Sequence, residues 1–250
     1  MVEVKHLTAG YPGNTVLKDI SLTFPTGSVT VVAGPNGCGK STLLKAMAGI
    51  LPASGEVELN GENLLALPAR HRARKTAFLP QSRSVPEITV RRLVLHGRFP
   101  YLSYPRQYGK KDHAMAEAAM EAMGIADLAD RPLASLSGGQ RQKAYIAMAL
   151  AQDTEIVLLD EPTTFLDIAH QLQLMDLAKA LAAKGKTVVL VLHDLTLALE
   201  YADGLVVMND GTVVSSGTAE NVYQSGCFRE VFGVDVGRMQ VDGKWKYFYM

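Results

Sequence analysis

Gly34-Pro35-Asn36-Gly37-Cys38-Gly39-Lys40-Ser41-Thr42 places a lysine and two hydroxyls at the end of a glycine-rich turn, in the pattern G-x-x-x-x-G-K-[ST]. Glycines let such a loop curl until its backbone N–H groups cradle phosphates. Lys40 is then in reach of the β and γ oxygens, and the Ser41 hydroxyl can ligate Mg²⁺. Cys38 occupies a variable position in this loop, where a small side chain fits. Alkylating it is expected to block nucleotide binding by bulk. Far downstream, the apolar run Ile156-Val157-Leu158-Leu159 ends on Asp160 and Glu161. Adjacent carboxylates repel, and a divalent cation is the simplest compensation. Asp160 is expected to anchor Mg²⁺, and Glu161 to act as general base on an attacking water. His193 ends another apolar run and is placed to hold water and base over the γ-phosphate. Gln81, in Phe78-Leu79-Pro80-Gln81, can touch both metal and water. Tyr11 offers a flat π-face to a purine.

A second anion site is written into Leu136-Ser137-Gly138-Gly139-Gln140. Its two glycines open a helical stretch over residues 140–153, where free N–H groups and the helix dipole favour negative charge. No second lysine-bearing loop accompanies it. The chain has two anion sites and one phosphate loop.

These residues need a scaffold that delivers them to one place. Residues 28–33 form a short apolar run entering the phosphate loop, and residues 41–49 have a helical pattern, so the loop has the strand–loop–helix setting it requires. Residues 156–159 and 187–192 are continuously apolar and are followed by helical patterns at 171–183 and 195–201. This predicts a parallel sheet covered on both faces, with functional groups at the carboxyl ends of its strands. Residues 2–7 and 16–24 alternate apolar and polar with Gly10, Pro12 and Gly13 between them, which predicts antiparallel strands. Residues 56–59 read as a strand entering a turn at Asn60-Gly61. Residues 83 to about 135 carry Pro86, Pro100, Pro105, Tyr101, Tyr104 and Tyr108 in irregular segments, with a helix over 112–123 and Gly124 at its end. Short strands around Asn209-Asp210-Gly211 and a hairpin at Asp242-Gly243 complete the chain. The expected class is α/β: a phosphate-loop core (about 1–82 and 154–250), an N-terminal antiparallel β subdomain, and an inserted helical subdomain (about 83–153).

Bulk properties narrow the function. The 250 residues contain 25 Lys plus Arg and 25 Asp plus Glu, so no global field recruits nucleic acid or an anionic membrane. The one dense basic run, Arg70-His71-Arg72-Ala73-Arg74-Lys75, is expected to be a solvated face or a loop, with partner contact as the alternative. Two cysteines set no disulfide framework, and a reducing compartment is the natural setting. The N-terminus lacks a signal-peptide pattern. No apolar run approaches the roughly 18 residues a spanning helix needs, so the chain is not expected to cross a membrane itself.

Taken in order, these motifs resemble the ATP-binding subunit of an ATP-binding cassette (ABC) transporter along nearly the whole chain. Tyr11 matches the aromatic loop, residues 34–42 the Walker A loop, Gln81 the Q-loop, and residues 136–140 the signature. Asp160 and Glu161 match Walker B with its catalytic glutamate, residues 163–167 the D-loop, and His193 the switch histidine. The resemblance implies ATP and Mg²⁺ as ligands. It also implies a head-to-tail pair of identical chains, in which Ser137, Gly138, Gly139 and Gln140 of one chain, with Asp167, complete the site around the other chain's Lys40. Its further partners are transmembrane permease subunits and, through them, a substrate-binding protein, at the cytoplasmic face of the membrane. The segment after Gln81 down to about Ser135 would carry the groove for a permease helix, with Arg98, Phe99 and the nearby tyrosines as candidate contacts. Thr89-Val90-Arg91-Arg92-Leu93-Val94, Gly97-Arg98-Phe99-Pro100-Tyr101 and Glu161-Pro162-Thr163-Thr164-Phe165-Leu166-Asp167-Ile168-Ala169-His170-Gln171 resemble, more narrowly, importers of iron–siderophores, haem and cobalamin. The competing reading, a soluble ABC-type ATPase acting on nucleic acid or ribosomes, usually has two cassettes or a long coiled-coil insertion, and this chain has neither. A phosphate-loop kinase would not need the signature pentapeptide.

Overall fold

The computed structural model describes residues 1–81 and 85–250. The expected boundary at 82–83 lies outside the described residues. The chain opens with β1 (Val2–Tyr11) and β2 (Asn14–Phe24), whose alternating burial marks a sheet with one face on the core. With β4 (Ala53–Leu59) and β5 (Glu62–Asn63) they make an antiparallel sheet in the order β2-β1-β4-β5.

Fully buried strands follow a different logic. In β3 (Val29–Ala33), β7 (Ile156–Asp160) and β8 (Thr187–Val191) every residue is buried, as expected of β-branched runs covered on both faces. With β6 (Thr76–Leu79), β9 (Gly204–Asn209) and β10 (Thr212–Thr218) they form one six-stranded sheet, ordered β10-β9-β3-β8-β7-β6. All pairings are parallel except β9 with the edge strand β10. Helix α1 (Lys40–Met47) lies between the two sheets, burying Leu43, Leu44 and Met47. On the other face, α6 (Ile168–Ala183) and α7 (Leu195–Tyr201) cover the parallel strands.

The basic run is not a loop but a helix, and although none of its residues is buried, it is more than a solvated face. It forms α2 (Ala69–Lys75), and its guanidiniums bind backbone carbonyls. Arg72 donates to Ala48 and Gly49 at 3.0 and 2.9 Å, satisfying carbonyls left open beyond the end of α1, and to Leu67, just before α2, at 3.0 Å. Arg70 and Arg74 both donate to the Pro100 carbonyl, each at 2.9 Å. Periodicity alone could not show this, because the partners are distant in the chain.

Helices α3 (Val90–His96), α4 (Lys110–Ala122) and α5 (Gly138–Ala151) pack together through Leu93, Val94, Met120, Ala144 and Ala147. The expectation of irregular structure before residue 112 missed α3. Thr89 caps it, accepting from Arg92 N–H at 3.3 Å. Beyond α7, α8 (Ala219–Gln224) and α9 (Cys227–Phe232) precede a hairpin of β11 (Val236–Val241) and β12 (Lys244–Tyr249).

Arg98 is a structural residue rather than a surface contact. It is 4% exposed and pairs with Asp112 at 3.0 Å. It also donates to the Ala151 carbonyl at 2.9 Å and lies 4.0 Å over the Tyr101 ring. Burial works against ionisation of Asp112, but the Gly109 N–H and Arg98 outweigh it and hold the carboxyl below its ordinary value. Such a group stabilises the fold above its unfolded pKa, and that contribution is lost as pH falls through the folded value. Arg98→Ala strands a partly buried carboxylate and should cost about 3–5 kcal/mol, a fall in Tm on the order of 10 °C. Thermal unfolding from neutral to acid pH checks this, and the variant should also lose the part of the acid limb that Asp112 supplies. An unchanged Tm would refute the assignment.

Candidate functional site

The strand register assembles the site. Leu79 pairs with Leu159, and Asp160 pairs with Val191, so β6, β7 and β8 end side by side. The residues just past those ends, Gln81, Glu161 and His193, therefore stand in a row. Gln81 Nε2 donates to Glu161 Oε2 at 2.6 Å, and His193 Nε2 meets Glu161 Oε1 at 2.7 Å. Both carboxylate oxygens are thus held, one by an amide and one by an imidazole. Because an ionised carboxylate only accepts, the facing His193 nitrogen carries the proton. Glu161 itself has φ 49°, in the left-handed region, a conformation costing on the order of 1 kcal/mol for a side chain of its kind. That turn swings Glu161 out of the strand's alternation.

Beside this clamp lies the phosphate loop, between β3 and α1. Gly39 has φ 108°, which a side chain would strain, and a Cβ on Gly34 would come within 2.4 Å of the Met208 carbonyl. Lys40, 5% exposed, donates from Nζ to the carbonyls of Gly34 and Pro35, both at 2.8 Å. Asn36, Gly37, Gly39, Lys40, Ser41 and Thr42 line a cavity of 580 Å³ whose other walls include Tyr11, Gln81, Glu161 and His193. Tyr11, at the cavity rim, is 45% exposed; its hydroxyl accepts from Lys45 at 3.3 Å, and the same ammonium lies 5.9 Å from the ring centroid. Cys38 is turned the other way. It is 4% exposed, packs in the core beneath the loop, and burial pushes its thiol up. Burial thus suppresses both access and thiolate, which slows the alkylation expected to block nucleotide binding.

At the cavity floor Ser41 Oγ donates to Asp160 Oδ1 at 3.0 Å. The other oxygen, Asp160 Oδ2, is buried and has no hydrogen-bond partner among the described residues. Burial pushes the Asp160 carboxyl up, against the pull of the Ser41 hydroxyl. An orphaned carboxylate oxygen next to the Ser41 hydroxyl of the phosphate loop makes a hard-oxygen donor pair. No group of three or more His, Cys, Asp or Glu side chains able to hold a metal occurs among the described residues. One carboxylate plus substrate phosphates is the usual way Mg²⁺ is held, so the donor set fits that ion.

The signature residues are elsewhere. Ser137 caps α5, accepting from Gln140 N–H at 3.2 Å, while Gln140 Oε1 accepts from Ser137 N–H at 3.1 Å. The helix starts at Gly138, earlier than the 140 expected, so both glycines lie in its first turn. None of Ser137, Gly138, Gly139 or Gln140 lines the nucleotide cavity. Gly138 instead borders a separate space with Gln81, Arg141 and Phe165. Asp167 is outside the cavity as well: it caps α6, accepting from His170 N–H at 2.9 Å, and that N–H helps hold its carboxyl below the usual range.

Residues 17–164 match the family described as ABC transporter. The chain belongs to the ABC transporter family. Across 92% of its length this cassette is 46% identical to the achromobactin transport ATP-binding protein CbrD of Dickeya dadantii, covering 87% of that protein. Over 92% of its length, and 86% of the relative's, it is 42% identical to the ferric enterobactin transport ATP-binding protein FepC of Escherichia coli. Among solved structures, the dimeric bacterial ABC transporter cassette MJ0796 superimposes with a TM-score of 0.77 at 27% identity, over 88% of this chain and 99% of that one. The cassette binds ATP and is an ATPase coupled to transport. No helix among the described residues is long and apolar enough to cross a membrane.

Proposed function

We propose that this cassette powers the uptake of a ferric siderophore, working as a head-to-tail pair of identical chains under a membrane permease at the cytoplasmic face. The observation that carries the cargo class is the 46% identity to an achromobactin transport ATP-binding protein. The separation of the signature from the nucleotide cavity supports the pairing. Ser137, Gly138 and Gly139 offer a helix N-terminus with no phosphate loop opposite it in the same chain, so a second chain's Lys40 would supply one. Asp167 follows Phe165 and Leu166, which lie against Gly138 and Gly139, and would be a further contact in trans.

Asp160 and Ser41 would hold Mg²⁺, which supplies charge neutralisation on the ATP phosphates. Lys40 and the loop N–H groups bind and orient those phosphates. Glu161, fixed by Gln81 and His193, takes the proton of an attacking water. ATP binding then favours the closed pair and hydrolysis releases it.

For the permease, a groove of 290 Å³ is lined by Arg70, Ala73, Phe99, Pro100, Leu102 and Arg106. Phe99 is 48% exposed with the Arg106 guanidinium 4.9 Å over its ring, and Tyr104 is 96% exposed. An apolar floor with arginines at the rim suits an amphipathic helix carrying an acidic group. Arg98, buried beneath it, braces the groove from inside.

Co-purification from membranes, then uptake by vesicles holding the purified complex, tests this reading. Ferric siderophore should accumulate in an ATP-dependent way, and more than haem or cobalamin. Salt-sensitive nucleic-acid binding without permease association would overturn it.

A further inference from the structure

Tyr249 ties the β11–β12 hairpin to the residues that follow His193. Its hydroxyl accepts from Leu195 N–H at 3.0 Å and lies 3.3 Å from Asp194 Oδ1, to which it donates. Leu195 is the first residue of α7 and Asp194 its cap. Asp194 Oδ1 already accepts from the N–H groups of Thr196 and Leu197 at 2.9 and 3.2 Å, and from the Thr196 hydroxyl at 2.7 Å. The Leu195 N–H is one that a helix start leaves open and that a cap side chain does not ordinarily reach. Tyr249 fills that position. Burial pushes its phenol up, which keeps the O–H a donor at working pH.

The imidazole one residue before this cap is 48% exposed, so packing does little to orient it. Its place against Glu161 is set by the backbone that carries it, and that backbone is fixed by the first turn of α7. We infer that Tyr249 is a positioning residue for His193, acting from another part of the chain through the Leu195 N–H and Asp194. The inference rests on the reading of His193 as the group that holds Glu161. A second tether of the same hairpin, Lys246 with Glu200, joins α7 further along, away from His193.

Three variants of the full chain test this, with steady-state ATP turnover and the ¹H–¹³C signal of the His193 ring as readouts, the signal being identified by its loss in His193→Ala. Tyr249→Phe keeps the ring and removes the hydroxyl. It should lower kcat about threefold to tenfold with KM for ATP within about twofold, and shift the His193 signal. Lys246→Ala loosens the same hairpin and should leave both readouts as in the native protein. Unchanged kcat and signal in Tyr249→Phe, or an equal loss in Lys246→Ala, overturns the role of Tyr249. Native turnover in His193→Ala overturns the reading of His193 itself, and the proposal with it. An inactive His193→Ala beside a fully active Tyr249→Phe removes only the hairpin's part.

Discussion

Glu161→Gln should lower ATP turnover about 10²–10⁴-fold while ATP still binds, because the substitution removes a base and little else. The amide is isosteric with the carboxylate, and one of its atoms can still meet Gln81 or His193, whose contacts at 2.6 and 2.7 Å now fix the side chain. Lys40, Ser41 and Asp160 are untouched. A 10³-fold loss corresponds to about 4 kcal/mol of transition-state stabilisation. On the proposed closure of the pair by ATP, slow hydrolysis should leave a long-lived dimer when ATP and Mg²⁺ are present. Single-turnover hydrolysis with sedimentation velocity checks both halves. Turnover within tenfold of native would remove Glu161 as the base, and a persistently monomeric variant would remove the coupling of ATP to pairing.

The second large effect is at Asp160, and its sign differs between stability and activity. Burial raises this carboxyl, and Asp160 Oδ2 has no partner among the described residues. A raised carboxyl contributes stability that is fully present below its unfolded pKa, about 3.9, and is lost as pH rises through the folded value. At neutral pH its negative charge is therefore a debit in the metal-free protein. Asp160→Asn removes that charge and can retain the acceptor for Ser41. Without metal or nucleotide it should raise stability by about 1 kcal/mol, or about 2–4 °C in Tm, with the two proteins converging near pH 4. The same change should abolish the Mg²⁺-dependent part of ATP stabilisation, the whole of which is about 2.7 kcal/mol for the native protein at a hundred times Kd. Thermal unfolding in EDTA, and then with Mg²⁺ and ATP, separates the two effects. A variant less stable than native in EDTA, or one still stabilised by Mg²⁺ with ATP, would count against Asp160 as the metal anchor. Stability lost to a charge that function needs is the usual reason a local rule is broken at a site.

Much of the site could be read in the chain because its chemistry is local. A phosphate loop needs its glycines, lysine and hydroxyl within nine consecutive positions, and a strand-end carboxylate needs only an apolar run before it. The helix α3 was missed because Arg91 and Arg92 interrupt a short apolar pattern between prolines. Its stability comes from packing against α4 and α5, a tertiary contribution that outweighs local propensity. The burial of Arg98 and the carbonyl contacts of the 70–75 run escaped sequence reading for a related reason. Arginine is usually exposed, and only the fold supplies the carboxylate and carbonyls that let it be buried or tied down. Cys38 has the right position for a loop residue, but which way its side chain turns depends on α1 lying over the core.

The order of motifs along the chain was enough to determine the family, ATP as its nucleotide and an ATPase coupled to transport, since these depend on residue type and short spacing. The tertiary structure decided what those groups do to one another. Parallel register brings Gln81, Glu161 and His193 into one row from strands far apart in the chain, and it leaves the signature helix away from the phosphate loop it resembles a partner for. It also sets the Tyr249 hydroxyl against the turn that carries His193. Pairings of that kind depend on which strands are neighbours and on burial, and neither is encoded in spacing along the chain.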